Sequence, residues 1–299
     1  MAGPGYFKSF LIPLVFIIAA VLVLRYIKAT HKDVHAQAVP SAAAVAGRDD
    51  NMAMGNPSKA TTGEDNKDNY LLVKPLYALS YNNSKGMANW VSWHLSTAWR
   101  GHVERCNCFM PDESLPESFF KARTSDYTRS GFDRGHLCPS DDRSSNDEEN
   151  AGTFLMTNMS PQAPVLNQQT WEHLEAYCRK LTTEGNELYI IAGGYGTGGE
   201  GKNGPASSLA DGRINVPSNF WKIIVVLPVG DNDIARIDKD TRIIAVDMPN
   251  RQNVNEYEWE HYRVTVDDLE AATGYDFLSA VPESIQQAIE SRKDDGPVN

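Results

Sequence analysis

The segment GFDRGHLCP, residues 131–139, places charged and turn-forming side chains around a single histidine. Asp133, Arg134 and His136 are almost consecutive, and Gly135 separates the arginine from the histidine. A neutral imidazole can take a proton from water near neutral pH, and a guanidinium can hold a phosphate through two parallel hydrogen bonds. A lone histidine is more often structural than catalytic, so the role of His136 depends on the residues that accompany it.

A second polar cluster follows in the chain and has the spacing of a helix. Asn167, Trp171, Glu175 and Arg179 are each four positions apart. On a helix, such side chains form one slowly drifting stripe, so an amide, a carboxylate and a guanidinium can converge on a common point above it. The apolar positions between them face elsewhere and give the helix a buried side: Leu174, Cys178 and Leu181.

Each of these polar residues also has an ordinary interpretation. Asn167 alone fits the N-cap of a helix, and a cap and a metal ligand are compatible roles at a helix start. Glu175 and Arg179, taken alone, fit a surface ion pair between positions i and i+4. His136 alone fits a core histidine. Only the joint pattern of the two clusters favours a catalytic site.

The combined set of side chains suits hydrolysis of a phosphodiester bond. That reaction needs an activated water, neutralised charge on the phosphorus oxygens and stabilisation of the leaving 3′ oxygen. Magnesium keeps several of its waters and takes one or two protein oxygens, so the carbonyl of a single asparagine is an adequate anchor. These are therefore the residue types that a metal-dependent nuclease would need.

At these residues the chain resembles the DNA/RNA non-specific endonucleases of the ββα-metal (His-Me finger) class. That family includes secreted bacterial nucleases and mitochondrial endonuclease G, and the resemblance looks closest to the cyanobacterial sugar-non-specific nucleases. It spans roughly residues 72–289 and includes YALSYN at 77–82, TFLMTNM at 153–159 and TGYDFL at 273–278. The resemblance implies an endonuclease that hydrolyses DNA and RNA, leaves 5′-phosphate ends and uses one Mg²⁺, with Mn²⁺ able to replace it.

Position by position, the resemblance also implies roles for individual residues. His136 looks like the general base, Asn167 like the magnesium ligand, and Glu175 like the carboxylate that holds metal-bound water. Arg105, six residues before Pro111, matches an upstream phosphate-binding arginine, and Arg179 matches a second substrate arginine.

Three more residues belong to the set that the resemblance implies. Asp133 and Arg134 look like members of the catalytic group that shape the site, and Asn158 looks like a supporting polar residue on the substrate side.

Apolar periodicity predicts an α+β fold, with a central, mostly antiparallel sheet flanked by helices. The resemblance to the endonuclease family implies a ββα-metal finger as the active site. Helices are predicted at about 168–182, near 282–292 and at 266–273. Strands are predicted at 70–73, 89–93, 187–192, 220–226 and 241–246.

The chain divides into four predicted parts. The uncharged run at 10–24 is short for a spanning helix, and residues 1–28 are predicted to form a signal or membrane anchor, an uncleaved one being favoured. Residues 29–68 are rich in Ala, Gly, Ser, Asn and Asp and predict a flexible linker. The endonuclease domain is predicted at 69–293, and residues 294–299 form a tail.

The predicted location is extracytoplasmic, membrane-anchored or secreted, or the mitochondrial intermembrane space in a eukaryote. More positive charge follows the apolar run than precedes it, which would keep the domain in the cytoplasm. We discount that orientation because a non-specific nuclease there would attack the host's own nucleic acid.

The formal net charge of −11 argues against a protein that coats nucleic acid, although a few arginines in one cleft can still focus a local field. The predicted partners are DNA and RNA without sequence preference, and a membrane at the N-terminus. Two alternatives are a membrane-tethered nucleic-acid-binding protein without catalysis and a sequence-specific His-Me finger nuclease. The sequence leaves open the oligomeric state and control by a protein inhibitor.

Three cysteines lie close to the predicted site. Together with His102, Cys106, Cys108 and Cys138 could form a zinc site. A disulfide from Cys106 or Cys108 to Cys138 is favoured over zinc if the compartment is oxidising, and free thiols are the third alternative. Cys178 falls in a predicted helix.

Overall fold

The computed structural model describes residues 47–298. The predicted anchor at 1–28 and the first part of the predicted linker lie outside the described residues. Within the described range, no helix combines the length and the apolar character needed to cross a membrane.

Thirteen strands form in the described residues. They are β1 (Tyr70–Val73), β2 (Ala78–Asn82), β3 (Met87–Leu95), β4 (Asp133–His136), β5 (Met159–Gln162), β6 (Asn186–Tyr195), β7 (Gly199–Gly201), β8 (Gly204–Ala206), β9 (Ser208–Leu209), β10 (Ile214–Asn215), β11 (Asn219–Pro228), β12 (Arg242–Pro249) and β13 (Arg263–Val264).

Five α-helices accompany these strands in the same range: α1 (Asp147–Gly152), α2 (Trp171–Thr183), α3 (Asp233–Arg236), α4 (Val266–Thr273) and α5 (Glu283–Glu290). A π turn at Leu166–Thr170 leads directly into α2. Short 3₁₀ helices lie at Glu64–Asn66, Thr97–Trp99, Thr124–Tyr127, Ser140–Arg143, Met156–Asn158, Val254–Glu256 and Trp259–Tyr262.

A seven-stranded sheet forms the centre of the fold, in the order β1-β2-β3-β6-β11-β12-β13. Every neighbouring pair in it is antiparallel. Successive side chains of a strand point to opposite faces, and both faces of this sheet are covered. The central strands therefore carry nearly continuous apolar runs, such as FWKIIVVL in β11, rather than a strict alternation.

Two hydrophobic cores lie on the two faces of the sheet. On β11, Phe220 and Ile224 pack into the first core together with the buried side of α2. Trp221 and Ile223, from alternate positions of the same strand, pack into the second core. That second core also includes apolar residues of α4 and α5, and so each face of the sheet has helices against it.

The strand and helix predictions are largely confirmed. All five predicted strands are present, and the helices predicted at 266–273 and 282–292 appear as α4 and α5. The helix predicted from 168 begins at Trp171 instead, because the chain first makes the π turn. The mixed fold with a large antiparallel sheet is therefore the one that the sequence predicts.

The linker prediction is wrong for residues 47–68. Met54 and Ala60 are almost fully buried in the second core, and Trp90 Nε1 donates a hydrogen bond to Ser58 Oγ at 2.8 Å. The Asn56 side chain donates to the carbonyl oxygen of Ala60 and accepts from its amide, both at 2.9 Å. Short polar side chains thus stabilise a packed irregular segment, although their composition resembles that of a linker.

The predicted tail is also part of the folded body. Arg242 Nε donates to Asp294 Oδ1 at 2.8 Å, and the same carboxylate lies 3.3 Å from Arg263. The Tyr177 hydroxyl donates to the carbonyl oxygen of Pro297 at 3.0 Å. The domain therefore extends over the whole described range, beyond both predicted boundaries at 69 and 293.

Candidate active site

The predicted catalytic segment forms the first strand of a ββα unit. Strand β4 pairs antiparallel with β5, so that His136 lies opposite Met159, and the chain then continues through the π turn into α2. Gly135 is required by the packing between the two strands, because a Cβ there would lie 2.6 Å from Cγ of Gln162. The unit brings the two polar clusters of the sequence to one cavity.

His136 is buried, with only 7% of its surface exposed. Its ring packs edge-to-face on Phe154 at 4.8 Å and lies 5.8 Å from Phe109, measured between ring centroids. Its Nε2 is buried and has no hydrogen-bond partner within residues 47–298. Burial, together with the nearby positive charge of Arg105, lowers the pKa of His136 to about 3. The imidazole is therefore neutral, as a general base must be.

Asn167 lies in the π turn and is oriented by Asp133. Asn167 Nδ2 donates to Asp133 Oδ2 at 2.9 Å, and Gln168 Nε2 donates to the same oxygen at 2.7 Å. Two consecutive residues reach one carboxylate because the wider π turn changes their direction. Asn167 Oδ1 accepts no hydrogen bond from a residue of the described chain and remains available as a ligand. The N-cap interpretation of Asn167 is wrong, since Thr170 precedes α2.

Glu175 projects from α2 and faces a buried lysine of the central sheet. Lys222 Nζ lies 3.4 Å from Glu175 Oε1. Burial raises the pKa of Glu175 to about 7, although the positive charges of Lys222 and Arg179 oppose this shift. The carboxyl group is thus close to half-protonated at neutral pH when only the described protein surrounds it.

Lys222 is a site residue that the sequence reasoning missed. It is 1% exposed, and its ammonium lies 4.2 Å from the centroid of the Trp171 ring. The available signal was a lone charge within the apolar run of β11, because a lysine is almost never fully buried without a partner. The ion-pair partner of Lys222 is Glu175, which belongs to the second polar cluster of the sequence.

Two arginines border the same cavity. Arg105 Nη1 donates to Ser140 Oγ at 2.6 Å, and its guanidinium lies 4.9 Å from the centroid of the Phe154 ring. Arg179 Nη1 lies 3.5 Å from Asp142 Oδ1, and its Nη2 lies 3.3 Å from Glu172 Oε1. Glu175 is not among the ion-pair partners of Arg179 in the described chain, so the surface-pair interpretation of these two residues is wrong.

The predicted residues converge on a cavity of about 310 Å³. The side chains named by the sequence that line it are His136, Asn167, Glu175, Arg105 and Arg179. A neighbouring cavity of about 490 Å³ shares the lining residues Arg105 and Asn167 with the first, and so the two lie side by side. The second cavity also contains Asp133 and Arg134, whose guanidinium lies 4.4 Å from the centroid of the Phe109 ring.

Asn158 does not lie where a substrate contact would need it. Its side chain is fully buried and makes three hydrogen bonds to backbone groups. Its Oδ1 accepts from the Cys138 amide at 2.9 Å, and its Nδ2 donates to the carbonyl oxygens of Cys138 and Thr153 at 2.8 and 2.9 Å. The substrate-binding role expected for Asn158 is therefore wrong. The amide instead fixes the backbone just after His136.

The cysteines differ from both bonded arrangements that the sequence suggested. Cys106 and Cys108 form a disulfide with each other. Cys138 is a buried free thiol, and so is Cys178. Both the zinc site and the disulfide to Cys138 are therefore wrong, because Cys138 lies in the first hydrophobic core, away from solvent.

Asn167 and Glu175 offer the oxygen ligands that suit a hydrated magnesium ion. Within the described chain, clusters of three carboxylate, imidazole or thiol groups occur at two other places, and neither includes a predicted site residue. One is Asp49, His94 and Glu187. There, His94 Nδ1 accepts a hydrogen bond from Trp99 Nε1 at 3.2 Å, so Nε2 carries the proton toward Glu187 at 3.3 Å. That cluster is a hydrogen-bond network rather than a site for an ion.

An antiparallel strand pair followed by a helix, with histidine, asparagine and glutamate around one cavity, defines the ββα-metal class of nucleases. The chain belongs to the DNA/RNA non-specific endonuclease family, whose model matches residues 55–284. It is accordingly a hydrolase that acts on nucleic acids.

Similar proteins include nucleases from distant organisms. The chain is 49% identical over 243 residues to a nuclease of Nostoc sp. (strain PCC 7120), covering 81% of this chain and 85% of that protein. It is 31% identical over 214 residues to the mitochondrial nuclease EXOG of Danio rerio, covering 69% of this chain and 60% of that protein.

A solved structure shares the fold. A chain in the crystal structure of the EndoG/EndoGI complex superposes with a TM-score of 0.65 at 24% sequence identity, covering 81% of this chain and 96% of that chain. This likeness confirms the mixed architecture with the large antiparallel sheet.

Proposed function

We propose that this family member is a magnesium-dependent, sugar-non-specific endonuclease that cuts DNA and RNA and leaves 5′-phosphate ends. The observation that carries the proposal is the convergence of His136, Asn167 and Glu175 on one cavity. His136 and Asn167 come from different elements of the ββα unit, and both border the space in which a phosphate would sit.

His136 takes a proton from the attacking water in this proposal. The low pKa of its buried ring keeps the imidazole neutral across the physiological range, which leaves one ring nitrogen unprotonated to accept that proton. Because the nucleophile is water, the reaction does not need the 2′-hydroxyl of RNA. Cleavage of both DNA and RNA follows from that choice of nucleophile.

The Asn167 carbonyl would hold Mg²⁺ directly, and Glu175 would hold it through a water. The fit rests on Asn167, whose amide nitrogen is committed to Asp133 while its oxygen is available. When bound, Mg²⁺, or Mn²⁺ in its place, supplies positive charge to a non-bridging oxygen and to the leaving oxygen. Asp133 positions this ligand, and Lys222 balances the charge of Glu175.

Arginines bind the phosphates of the substrate. Arg105 and Arg179 lie at the first cavity and neutralise the phosphate under attack. The strand then continues into the second cavity, which Arg129 and Arg134 line. Neither of these two guanidiniums has an ion-pair partner among residues 47–298, so both are available for phosphate. Contacts to phosphate position a strand without reading its sequence, and they predict weak sequence preference.

Hydrogen bonds hold the turn that carries Arg129 in one conformation. Arg129 has a positive φ of 58°, and its carbonyl oxygen accepts a hydrogen bond from Asn203 Nδ2 at 2.9 Å. The carbonyl oxygen of Gly131 accepts from the Lys202 amide, also at 2.9 Å. Two hydrogen bonds from one hairpin therefore hold the backbone on both sides of Ser130, which supports a fixed position for Arg129.

Digestion of plasmid DNA and of RNA, with Mg²⁺ titrated in and then removed by EDTA, tests the proposal. His136→Ala should lower kcat by about 10²–10⁴-fold while leaving substrate binding largely intact. The matched control is His173→Ala, because His173 is an exposed histidine of α2 that lines neither cavity. Activity of the His136 variant within a few-fold of the parent would disprove the base assignment.

The same digestion separates the alternatives. Binding without cutting in Mg²⁺ would indicate a tethered binding protein, which the family membership and the assembled site oppose. Discrete fragments in place of a smear would indicate a sequence-specific nuclease. Ends that accept a label from polynucleotide kinase only after phosphatase treatment are expected, since they carry 5′-phosphates.

We further propose an extracytoplasmic location with attachment through the N-terminal segment. The Cys106–Cys108 disulfide supports this, because disulfides persist in oxidising compartments. A relative with a mitochondrial location is known in Danio rerio. In the EndoG/EndoGI complex the nuclease EndoG is inhibited, and a protein inhibitor that covers the two cavities is the corresponding proposal for this chain.

A further inference from the structure

The disulfide between Cys106 and Cys108 lies next to the active site. It encloses a single residue, Asn107, whose φ of 52° falls in the left-handed region. Asn107 Oδ1 accepts a hydrogen bond from Arg105 Nε at 3.1 Å. The small ring closed by the disulfide thus contacts a substrate arginine directly.

Arg105 is held from two sides. On one side its Nη1 donates to Ser140, and on the other its Nε donates to Asn107 within the disulfide ring. The amide of Cys106 also donates to Asn150 Oδ1 at 3.0 Å. The orientation of the Arg105 guanidinium therefore depends on the conformation that the ring imposes on Asn107.

The other end of the ring leads to the second cavity. Phe109 follows Cys108 and packs between the ring of His136 and the guanidinium of Arg134. Residues 100–109 belong to no helix or strand. Few backbone hydrogen bonds fix an irregular segment, and a disulfide that encloses one residue acts locally, by restricting the backbone of that residue and of its two neighbours.

We propose that the Cys106–Cys108 disulfide is a positioning element for the reaction, which fixes Arg105 and Phe109 in the conformation that binds substrate. The inference rests on the proposed function. When the bond is absent, the disulfide ring no longer holds Asn107 in the left-handed region, which asparagine tolerates but does not require. Its contact with Arg105 is then lost, and substrate binding weakens.

The redox step is a simple exchange. Two protein thiols give two electrons and two protons to an external disulfide oxidant, which leaves as a dithiol, and the protein gains one S–S bond. A dithiol reductant reverses the reaction. Cys106 is exposed and Cys108 is half-buried, so both reagents can reach the bond. A chain still in a reducing compartment would therefore be a weaker nuclease than the same chain after export.

The test compares the oxidised full-length protein with the protein reduced by dithiothreitol, using a fluorescent oligonucleotide as substrate. Reduction should raise KM by about tenfold, the loss expected for one charged hydrogen bond, with a smaller change in kcat. Reoxidation should restore the original KM. The Cys106→Ser/Cys108→Ser variant should have the KM of the reduced protein and should not respond to dithiothreitol.

Arg105→Ala supplies the decisive comparison, because it removes the side chain through which the disulfide acts. Its KM should already be raised, and reduction should change that KM much less than in the parent. A full response to reduction in this variant would overturn the proposal, and so would equal KM values for the oxidised and reduced parent.

The melting temperature of both redox states is measured alongside. A melting temperature below the assay temperature after reduction would also overturn the proposal. It would show that the disulfide is needed for the whole domain to stay folded, and not only for the position of Arg105. An oxidised parent with no nuclease activity would instead disprove the proposed function, whereas an active but redox-insensitive parent disproves only the role of the disulfide.

Discussion

Glu175 and His136 show how one environment changes two titratable groups in opposite directions. Burial disfavours the charged form of each, so it lowers the pKa of the imidazole to about 3 and raises the pKa of the carboxyl to about 7. The histidine is thereby neutral, with one unprotonated ring nitrogen. The glutamate is close to half-protonated at neutral pH, and a bound cation would favour its charged form.

This difference predicts that magnesium binding depends on pH. Because Glu175 is protonated below its pKa of about 7, the apparent dissociation constant for Mg²⁺ should rise as the pH falls, by up to about tenfold per unit below pH 7. Above about pH 8 it should be nearly constant, since the carboxylate is already charged. Calorimetric titration of Mg²⁺ across this range measures the effect.

Glu175→Gln is the matched control for the pH dependence. It has no titratable group at this position, so its magnesium affinity should be weak and nearly independent of pH. A parent protein whose magnesium affinity stays flat between pH 6 and pH 8 would rule out Glu175 as the group that titrates.

At the scale of secondary-structure elements, side-chain hydrogen bonds to Asp133 of strand β4 join that strand to the π turn that precedes helix α2. Asp133 holds the amides of Asn167 and Gln168 on one oxygen, so the turn and the strand together orient Asn167, the proposed metal ligand. Groups that orient a ligand in this way contribute to metal affinity although they do not touch the metal.

Asp133→Ala should therefore weaken Mg²⁺ binding by about 10–100-fold, because the Asn167 amide can then rotate. Gln168→Ala is the control. It removes a neighbour of the same carboxylate but leaves the hydrogen bond to Asn167 in place, so its effect should be much smaller. The magnesium concentration at half-maximal cleavage provides the measurement, and equal effects of the two substitutions would contradict the orienting role.

The sequence predicted the elements whose apolar residues have a regular spacing. The central strands and α2 can be predicted because burial of a whole face leaves a periodic pattern of apolar residues in the sequence. The π turn at Leu166–Thr170 could not be predicted, since its extra residue is set by tertiary contacts such as the one to Asp133. The packed segment at 47–68 was missed for a related reason, because its buried residues are few and lack any period.

Within the site, the sequence predicted residues that the structure brings to one cavity, and it missed a buried partner. His136 lies in a distinctive charged segment, and Asn167 and Glu175 have helical spacing. Lys222 lies far along the chain and reaches the site only because the sheet passes beneath α2. The bond between Cys106 and Cys108 was missed as well, since spacing alone does not decide which cysteines pair.

At the scale of the whole molecule, the net charge of the chain and the charge of the side chains that line the second cavity have opposite signs. The chain has a formal net charge of −11, whereas three arginines and one aspartate line the second cavity. Because the net charge of the chain repels a polyanion, attraction should come mainly from the arginines of the second cavity, where the field is focused. Substrate binding should thus depend on a few phosphate contacts.

Arg129→Ala tests this distribution of charge. Removing one phosphate contact should reduce the slope of log affinity against log salt by about one, and it should weaken binding of long oligonucleotides more than binding of very short ones. The control is Arg251→Ala, an exposed arginine that lines neither cavity. An unchanged salt slope for the Arg129 variant would show that the strand does not pass through the second cavity.

In the part of the chain that the structure describes, the residues that line the first cavity all come from the stretch between Arg105 and Arg179. Lys222, which the large sheet contributes, pairs with Glu175 from outside that stretch. Substitutions in the flanking strands that keep side-chain volume and apolar character should therefore change catalysis little. One stretch of the chain and one distant lysine hold the first cavity together, so an insertion within that stretch should be far more damaging than one in a loop of the large sheet.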